Sequence, residues 1–194
     1  MEFKALVQAR RSVRSFDAIE ATDEQIAAII DAGLWAPSPL NLQPWEFIVV
    51  SDPEIKKQIK EVAEAAKKEV MDSKGPGWVA KYSMDWLLDA PVFIIVVADP
   101  KKSGLGSFFG QGHGAVQAAS ACVQNMMLAA ADMGLGSIWF TFFRPEKLKE
   151  LLNIPENLDI TAVLPVGTPK EPVKVPPRKE PTVYAQRYGE SNPS

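Results

Sequence analysis

Residues 91–98 read Pro91-Val92-Phe93-Ile94-Ile95-Val96-Val97-Ala98, an apolar run with no polar alternation. Such a run predicts a strand covered on both faces, and therefore one near the centre of a sheet. It is far shorter than the roughly 20 residues that a membrane-spanning helix needs. Upstream, Trp45 to Val50 forms a second aromatic and β-branched run, bounded by Pro44 and by Ser51-Asp52-Pro53. Ile138 to Phe140 and Ile160 to Val166 complete the expected strands. Helical patterns separate them. Thr22 with Gln25 forms a capping box ahead of Ile26, Ile29 and Ile30, and Pro37 and Pro39 stop that helix beyond Gly33. Asp52-Pro53 opens another helix, with Ile55, Ile59, Val62, Ala63, Ala66 and Val70 on one face and lysines and glutamates on the other. An alanine-rich helix runs from about Ala115 to Met133 and ends at Gly134, and a further one spans Pro145 to Leu152. Phe3, Leu6 and Val7 mark a short helix at the start of the chain. Strands interleaved with helices place the chain among α/β or α+β folds, not bundles or sandwiches.

Two stretches resist this pattern. Gly75-Pro76-Gly77 breaks the chain ahead of Trp78, Tyr82, Met84 and Trp86, a weakly helical context expected to be a mobile excursion. From Gly167 to Ser194 there are six prolines and almost no apolar periodicity, which predicts an extended arm. The length of 194 residues fits one domain, and folding a chain of this size hides roughly 70% of its surface. One cysteine and one histidine exclude an intrachain disulfide and a Cys/His zinc site. A net charge of −3 gives no global attraction for nucleic acid or anionic membranes. The expectation is a cytoplasmic protein with no metal, no nucleic-acid partner and no membrane segment.

Chemistry is concentrated in few places. His113 lies between two glycines with no Gly-x-Ser-x-Gly elbow to serve, so a hydrolase triad is not expected, and a loop or capping role competes with substrate contact. Cys122 sits mid-helix among alanines, where a thiol behaves as a small hydrophobe. Arg10-Arg11-Ser12-Val13-Arg14 places three guanidinium groups and a hydroxyl in five residues. Arginine forks suit phosphate oxygens, though cations also stabilise a helix C-terminus. The loop from Pro37 to Trp45 carries Ser38, Asn41 and Gln43, whose donors and acceptors suit a polar ring edge or the loop's own turns. Gly110-x-Gly112-x-x-Ala115 formally meets a permissive dinucleotide fingerprint, but no strand leads directly into it.

Four motifs in order resemble the flavin-dependent nitroreductase family across nearly the whole chain. Arg10-Arg11-Ser12-Val13-Arg14-x-Phe16 is similar to the family's Arg-x-Ser-x-Arg/Lys-x-Phe opening, and Pro37-Ser38 through Asn41-x-Gln43-Pro44-Trp45 to its Pro-Ser-x-x-Asn-x-Gln-Pro-Trp loop. The Gln124 to Ser137 stretch is similar to its long-helix ending and Gly-Leu-Gly-Ser turn, and Leu148 to Pro155 with Leu164 to Gly167 to its closing segment. The resemblance implies an α+β fold of three α/β/α layers, with a central mixed sheet, a C-terminal arm over residues 167–194, and a homodimer with FMN at the subunit interface. By the same resemblance, Arg10, Arg11, Ser12 and Arg14 hold the phosphate and ribityl end, joined by Arg178 or Lys179. Pro37, Ser38, Asn41 and Gln43 contact the flavin, in part from the partner, and the chain after Gly136-Ser137 runs past the ring, with N–H groups near Thr141 facing N5. No side chain is then required as a catalytic acid, base or nucleophile. Trp78, Tyr82, Trp86, Phe108 and Phe109 are candidates for the acceptor wall, each also a candidate core residue. The implied activity is ping-pong hydride transfer from NADH or NADPH to nitroaromatics, quinones or another small-molecule electron acceptor. FMN storage or sensing, flavin cleavage and dehalogenation are the alternatives. The family pattern does not account for the Gly104 to Gly114 loop.

Overall fold

The computed structural model describes residues 1–190. Its centre is the predicted strand, β2 (Val92–Ala98), every residue of which is buried. β2 is flanked by β1 (Trp45–Val50) and β4 (Asp159–Gly167), and a two-residue strand β3 (Gly136–Ser137) completes the order β1-β2-β4-β3. All three ladders are antiparallel, with a register shift at Val96/Val97. The mixed character expected of the sheet is confined to one isolated parallel bridge, Ser12 to Ser137. The expected strand at 138–140 also contracts: pairing covers Gly136–Ser137 and then recurs only as a bridge from Phe140 to Val163.

Alternation along β2 divides the interior. Phe93, Ile95 and Val97 face one core with α3 (Pro53–Asp72), α4 (Trp86–Asp89) and α6 (Pro145–Leu152). Val92, Ile94, Val96 and Ala98 face the other, with α2 (Asp23–Leu34) and α5 (Gly114–Asp132). The fold is therefore α+β in three layers. Helix α1 (Phe3–Ala9) lies against α5.

Local signals set the helix ends. The Thr22 hydroxyl accepts from the Gln25 N–H at 3.2 Å while the Gln25 side chain accepts from the Thr22 N–H at 2.9 Å, which satisfies two orphan donors of α2. Asp52 Oδ1 accepts from the N–H groups of Glu54 and Ile55 at the start of α3. Helix α5 stops where Gly134 takes a φ of 76°. Tight approach between layers needs small residues: a Cβ on Gly33 would lie 2.8 Å from the Cys122 sulfur.

Residues 78–88 are not a loose excursion. Val79, Met84, Trp86 and Leu87 are buried, within a short 3-10 turn (Gly77–Lys81) and α4. Beyond β4 the chain stays beside the residue 12–17 segment, through Asp17 N–H to Thr168 O and Lys170 N–H to Ser15 O. Residues 171–184 are exposed and without helix or ladder, and the last four residues of the segment expected to be an arm lie outside the described ones.

Candidate active site

The arginine-rich segment is fastened along the short edge strand. The Val13 N–H donates to Ser137 O at 3.1 Å, and a Cβ on Gly136 would lie 2.6 Å from the Val13 side chain, so glycine permits this approach. Arg10, Arg11, Gly136 and Ser137 consequently line one cavity of about 290 Å³, with Met127 and Leu135 from the end of α5 and its turn. Arg10 and Arg11 are half-buried, and neither has an ion-pair partner among the described residues. The Arg10 guanidinium is held below its ordinary pKa, first by burial and then by the neighbouring charges of Arg11 and Arg178. Three cations thus converge, and although Glu171 also lines this cavity it forms no ion pair with them among the described residues. Arg11 donates from one terminal nitrogen to Arg10 O at 2.6 Å, yet its buried Nε has no acceptor among the described residues. An orphaned guanidinium N–H beside two further cations could hold an anion, and the donor set suits a phosphate. Arg178 comes from the arm, as the resemblance implies for one of the pair Arg178 and Lys179; nothing brings Lys179 to the same place.

Arg14 faces elsewhere. It is exposed and lines a second cavity of about 440 Å³ with Trp78, Val79, Tyr82, Ile138, Trp139, Phe140, Thr141 and Phe142. Its Nε donates to the Tyr82 hydroxyl at 3.3 Å. Trp78 stands edge-on to Tyr82 with ring centroids 6.0 Å apart, and Tyr82 lies 6.2 Å from Phe142. The two cavities are linked through the chain: Ser137 lines the first and Ile138 the second. The Thr141 N–H finds no backbone acceptor among the described residues, so it is available to a ligand at the exposed rim.

Of the five aromatic candidates, Trp78 and Tyr82 form this wall. Trp86 does not. It is packed in the core against Phe16 and Phe140, with its Nε1 donating to Ser83 O at 3.0 Å, so both its ring and its polar edge are spent internally. Phe108 and Phe109 are about 80% exposed on a 3-10 turn (Gly104–Phe109) ahead of α5 and line neither cavity. His113 is the N-cap residue of α5 without a side-chain capping bond, and it borders a separate cavity with Pro39 and Ser103. The Ser103 hydroxyl stitches that loop, its one proton within reach of both Pro100 O and Gly112 O while its oxygen accepts from the Ala115 N–H.

Within one chain the 37–45 loop also stands apart from both arginine-lined cavities. Ser38 Oγ accepts from the Gln43 N–H at 3.1 Å and the Asn41 side chain accepts from Gln43 Nε2 at 3.1 Å. Leu40, Asn41 and Gln43 all have positive φ, an unusual concentration of left-handed backbone at non-glycine positions. Pro37, Asn41 and Gln43 remain exposed.

Sequence reasoning missed how the aromatic wall is held. Three lysines of α3 reach across to the segment that carries it. Lys67 Nζ donates to Tyr82 O at 2.7 Å, Lys60 pairs with Asp85 at 2.9 Å, and the buried Lys56 donates to Ala90 O and Pro91 O at 3.0 and 3.1 Å. The bond to Asp85 raises the Lys60 pKa, and the same bond, then that from Ser83, lowers the Asp85 pKa. Burial holds the Lys56 ammonium below the usual lysine range. The spacing 56, 60, 67 was the available signal, since it keeps the three on neighbouring turns of one helix side.

The comparisons agree with this geometry. The model of the Nitroreductase family matches residues 7–168. A protein of Archaeoglobus fulgidus provisionally named NADH dehydrogenase/NAD(P)H nitroreductase is 34% identical over 86% of this chain and 84% of its own. The iodotyrosine deiodinase of Thermotoga neapolitana is 29% identical over 90% of this chain and 92% of its own. Among solved structures, an oxidized iodotyrosine deiodinase bound to FMN and 3-iodo-L-tyrosine superposes with a TM-score of 0.80 at 27% identity, over 96% of this chain and 98% of that one. With its three-layer fold, its arginine-lined edge strand and a family match across most of its length, the chain belongs to the nitroreductase family.

Proposed function

We propose that this protein is an FMN-dependent oxidoreductase that takes hydride from NADH or NADPH and delivers it to a nitroaromatic, a quinone or a related small acceptor. The observation that carries this reading is the pairing of an anion seat with an aromatic cavity at the two ends of one backbone stretch, residues 136–142. Arg10, Arg11 and Arg178 would take the phosphate, with Ser12 and the Gly136-Ser137 backbone beside it. The buried Arg11 Nε would gain the acceptor that it lacks. When bound, FMN supplies the hydride chemistry, which explains why no triad is needed.

The chain's own groups position and polarise. Arg14 opens on the aromatic cavity and not on the anion seat, so its charge serves the ring end of the cofactor, where it would favour negative charge, and not the phosphate end. The free N–H of Thr141 is placed to donate toward the ring edge. Trp78, Tyr82 and Phe142 exclude water from an acceptor stacked against the flavin. The loop bearing Pro37, Ser38, Asn41 and Gln43 reaches no arginine-lined cavity in its own chain, which supports contact with the flavin of a partner subunit. A homodimer is further supported by exposed apolar groups outside the site, Trp35, Leu40, Phe108 and Phe109 among them. Residues 167–194 would lie over that partner as an arm of one domain. No helix among the described residues is long and apolar enough to cross a membrane.

A visible absorption spectrum recorded anaerobically before and after addition of NADH or NADPH tests the reading. A flavin spectrum that bleaches is the expected result. A flavin that stays oxidised would favour storage or sensing, and a protein that takes up no FMN would overturn the assignment of the anion seat. Reductive dehalogenation is the second reading, favoured by the deiodinase relatives.

A further inference from the structure

We infer that the aromatic cavity accepts planar aromatics that are neutral or anionic and excludes those carrying an ammonium group, zwitterionic aromatic amino acids included. This inference rests on the reading of that cavity as the acceptor site. Among the described residues its lining is aromatic and aliphatic apart from Thr141 and one charged residue, Arg14, and holds no carboxylate. The terminal guanidinium nitrogens of Arg14 have no hydrogen-bond partner among the described residues, so positive charge at the cavity is not neutralised from within. A second cation stands behind the wall, because the half-buried Lys67 ammonium is bonded to the carbonyl of Tyr82.

The carboxylate that could change this balance is engaged. Glu69 lines an adjoining cavity of about 400 Å³ that shares Val70 and Phe142 with the aromatic one. Arg144 holds it through both its Nε and a terminal nitrogen. That bond is also the first cause of the raised Arg144 pKa, followed by the Glu69 charge itself. An aromatic amino acid placed with its ring between Trp78, Tyr82 and Phe142 would thus bring an ammonium to a site that offers it cations and no anion. It would lose hydration without gaining a partner. A neutral ring meets no such penalty, and a carboxylate meets a favourable positive charge at Arg14 even where that group also faces the flavin ring.

Two acceptors that share ring and nitro group isolate this effect: para-nitrophenylalanine and para-nitrophenylpropanoate differ only in the α-ammonium. With the FMN-loaded protein, the propanoate is expected to show a kcat/KM at least about tenfold higher, since an unpaired or like-charged contact costs at least that factor. Its dissociation constant, read from quenching of oxidised flavin fluorescence, should be lower by a similar factor. Equal values, or preference for the amino acid, would overturn the inference. The binding arm needs no electron donor, so a flavin that NAD(P)H does not reduce would sink the reductase reading while leaving this comparison decisive. Holoprotein that binds neither compound at millimolar concentration would overturn the inference through its premise that the cavity is an acceptor site.

Discussion

The two faces of the sheet are packed by different means. On one, α2 and α5 close on each other through Gly33, Ala118, Ala119, Cys122 and Ala130, with helix backbones near enough that a single added methyl group would collide. On the other, Phe16, Trp86, Phe93, Phe140 and Phe143 fill the space beneath α3, α4 and α6. Small residues give a close helix-to-helix contact that varies little along its length. Large flat rings interlock only at certain angles, as with Trp86 and Phe140 at 85°, and at the border of this face the chain leaves a gap with exposed ring surface. The aromatic cavity opens on that border, between Trp78, Tyr82 and Phe142. One face is built for adhesion, and the other keeps ring surface available to a ligand.

Phe93→Ala attacks the aromatic face at its centre. It should cost about 3–5 kcal/mol in urea unfolding, because the fully buried ring leaves a void that neighbouring rings cannot fill. A loss below about 1 kcal/mol would show that this face repacks freely, and the contrast would fail. Arg11→Ala probes the site beside the small-residue face. It is expected to weaken FMN binding by about tenfold to a hundredfold, the range for a hydrogen bond to a charged group, in a fluorescence titration. Gly33→Val tests close approach directly. The added bulk meets Cys122 and Met126 and should cost about 1–3 kcal/mol, with partial recovery in the Gly33→Val, Cys122→Ala double variant.

Two smaller effects depend on pH. Burial pushes the Cys122 thiol up to about 12, so it should resist a disulfide reagent until the protein unfolds. The unfolded chain releases this proton near 9 and the native chain keeps it, so stability should fall as pH rises from about 9 toward 12. Asp85 moves the other way. Its pKa is lowered by Lys60, then by Ser83, so its contribution is present above the ordinary carboxylate range and lost as pH falls through the lowered value. Asp85→Asn should carry a small cost at neutral pH, where that contribution is present, and its unfolding curve should converge with that of the parent chain in acid.

Much of this arrangement is written locally. β2 was legible because each of its side chains is apolar, and α2 and α3 because Thr22, Gln25 and Asp52 announce helix starts through bonds made within three residues. Arg10 and Arg11 were legible as a concentration of positive charge because nothing acidic interrupts them. Features fixed by contacts across the chain were harder to read. Trp78 and Trp86 occur in one stretch with the same hydrophobicity, and what separates them is Ser83 O, which satisfies the indole of Trp86 and lets it go inside. Arg14 looks like a third phosphate ligand in sequence, yet extended backbone pinned by the Val13 bond to Ser137 carries it to the other cavity. Lys56, Lys60 and Lys67 looked like a solvated face because their acceptors lie between 15 and 35 residues further along the chain.

The lysines that hold the aromatic wall differ in what they hold. Only the middle one grips a carboxylate; Lys67 and Lys56 grip peptide carbonyls. Dissolved ions screen a pair of exposed charges far more than a half-buried contact between a charge and a dipole. Rising ionic strength should therefore release Asp85 and leave the ends of the segment in place. A phosphate held by Arg10, Arg11 and Arg178, as proposed, would be a contact between full charges, which salt screens more strongly. At high salt the protein would lose its grip on an anionic cofactor before it lost the shape of the wall against which an acceptor rests.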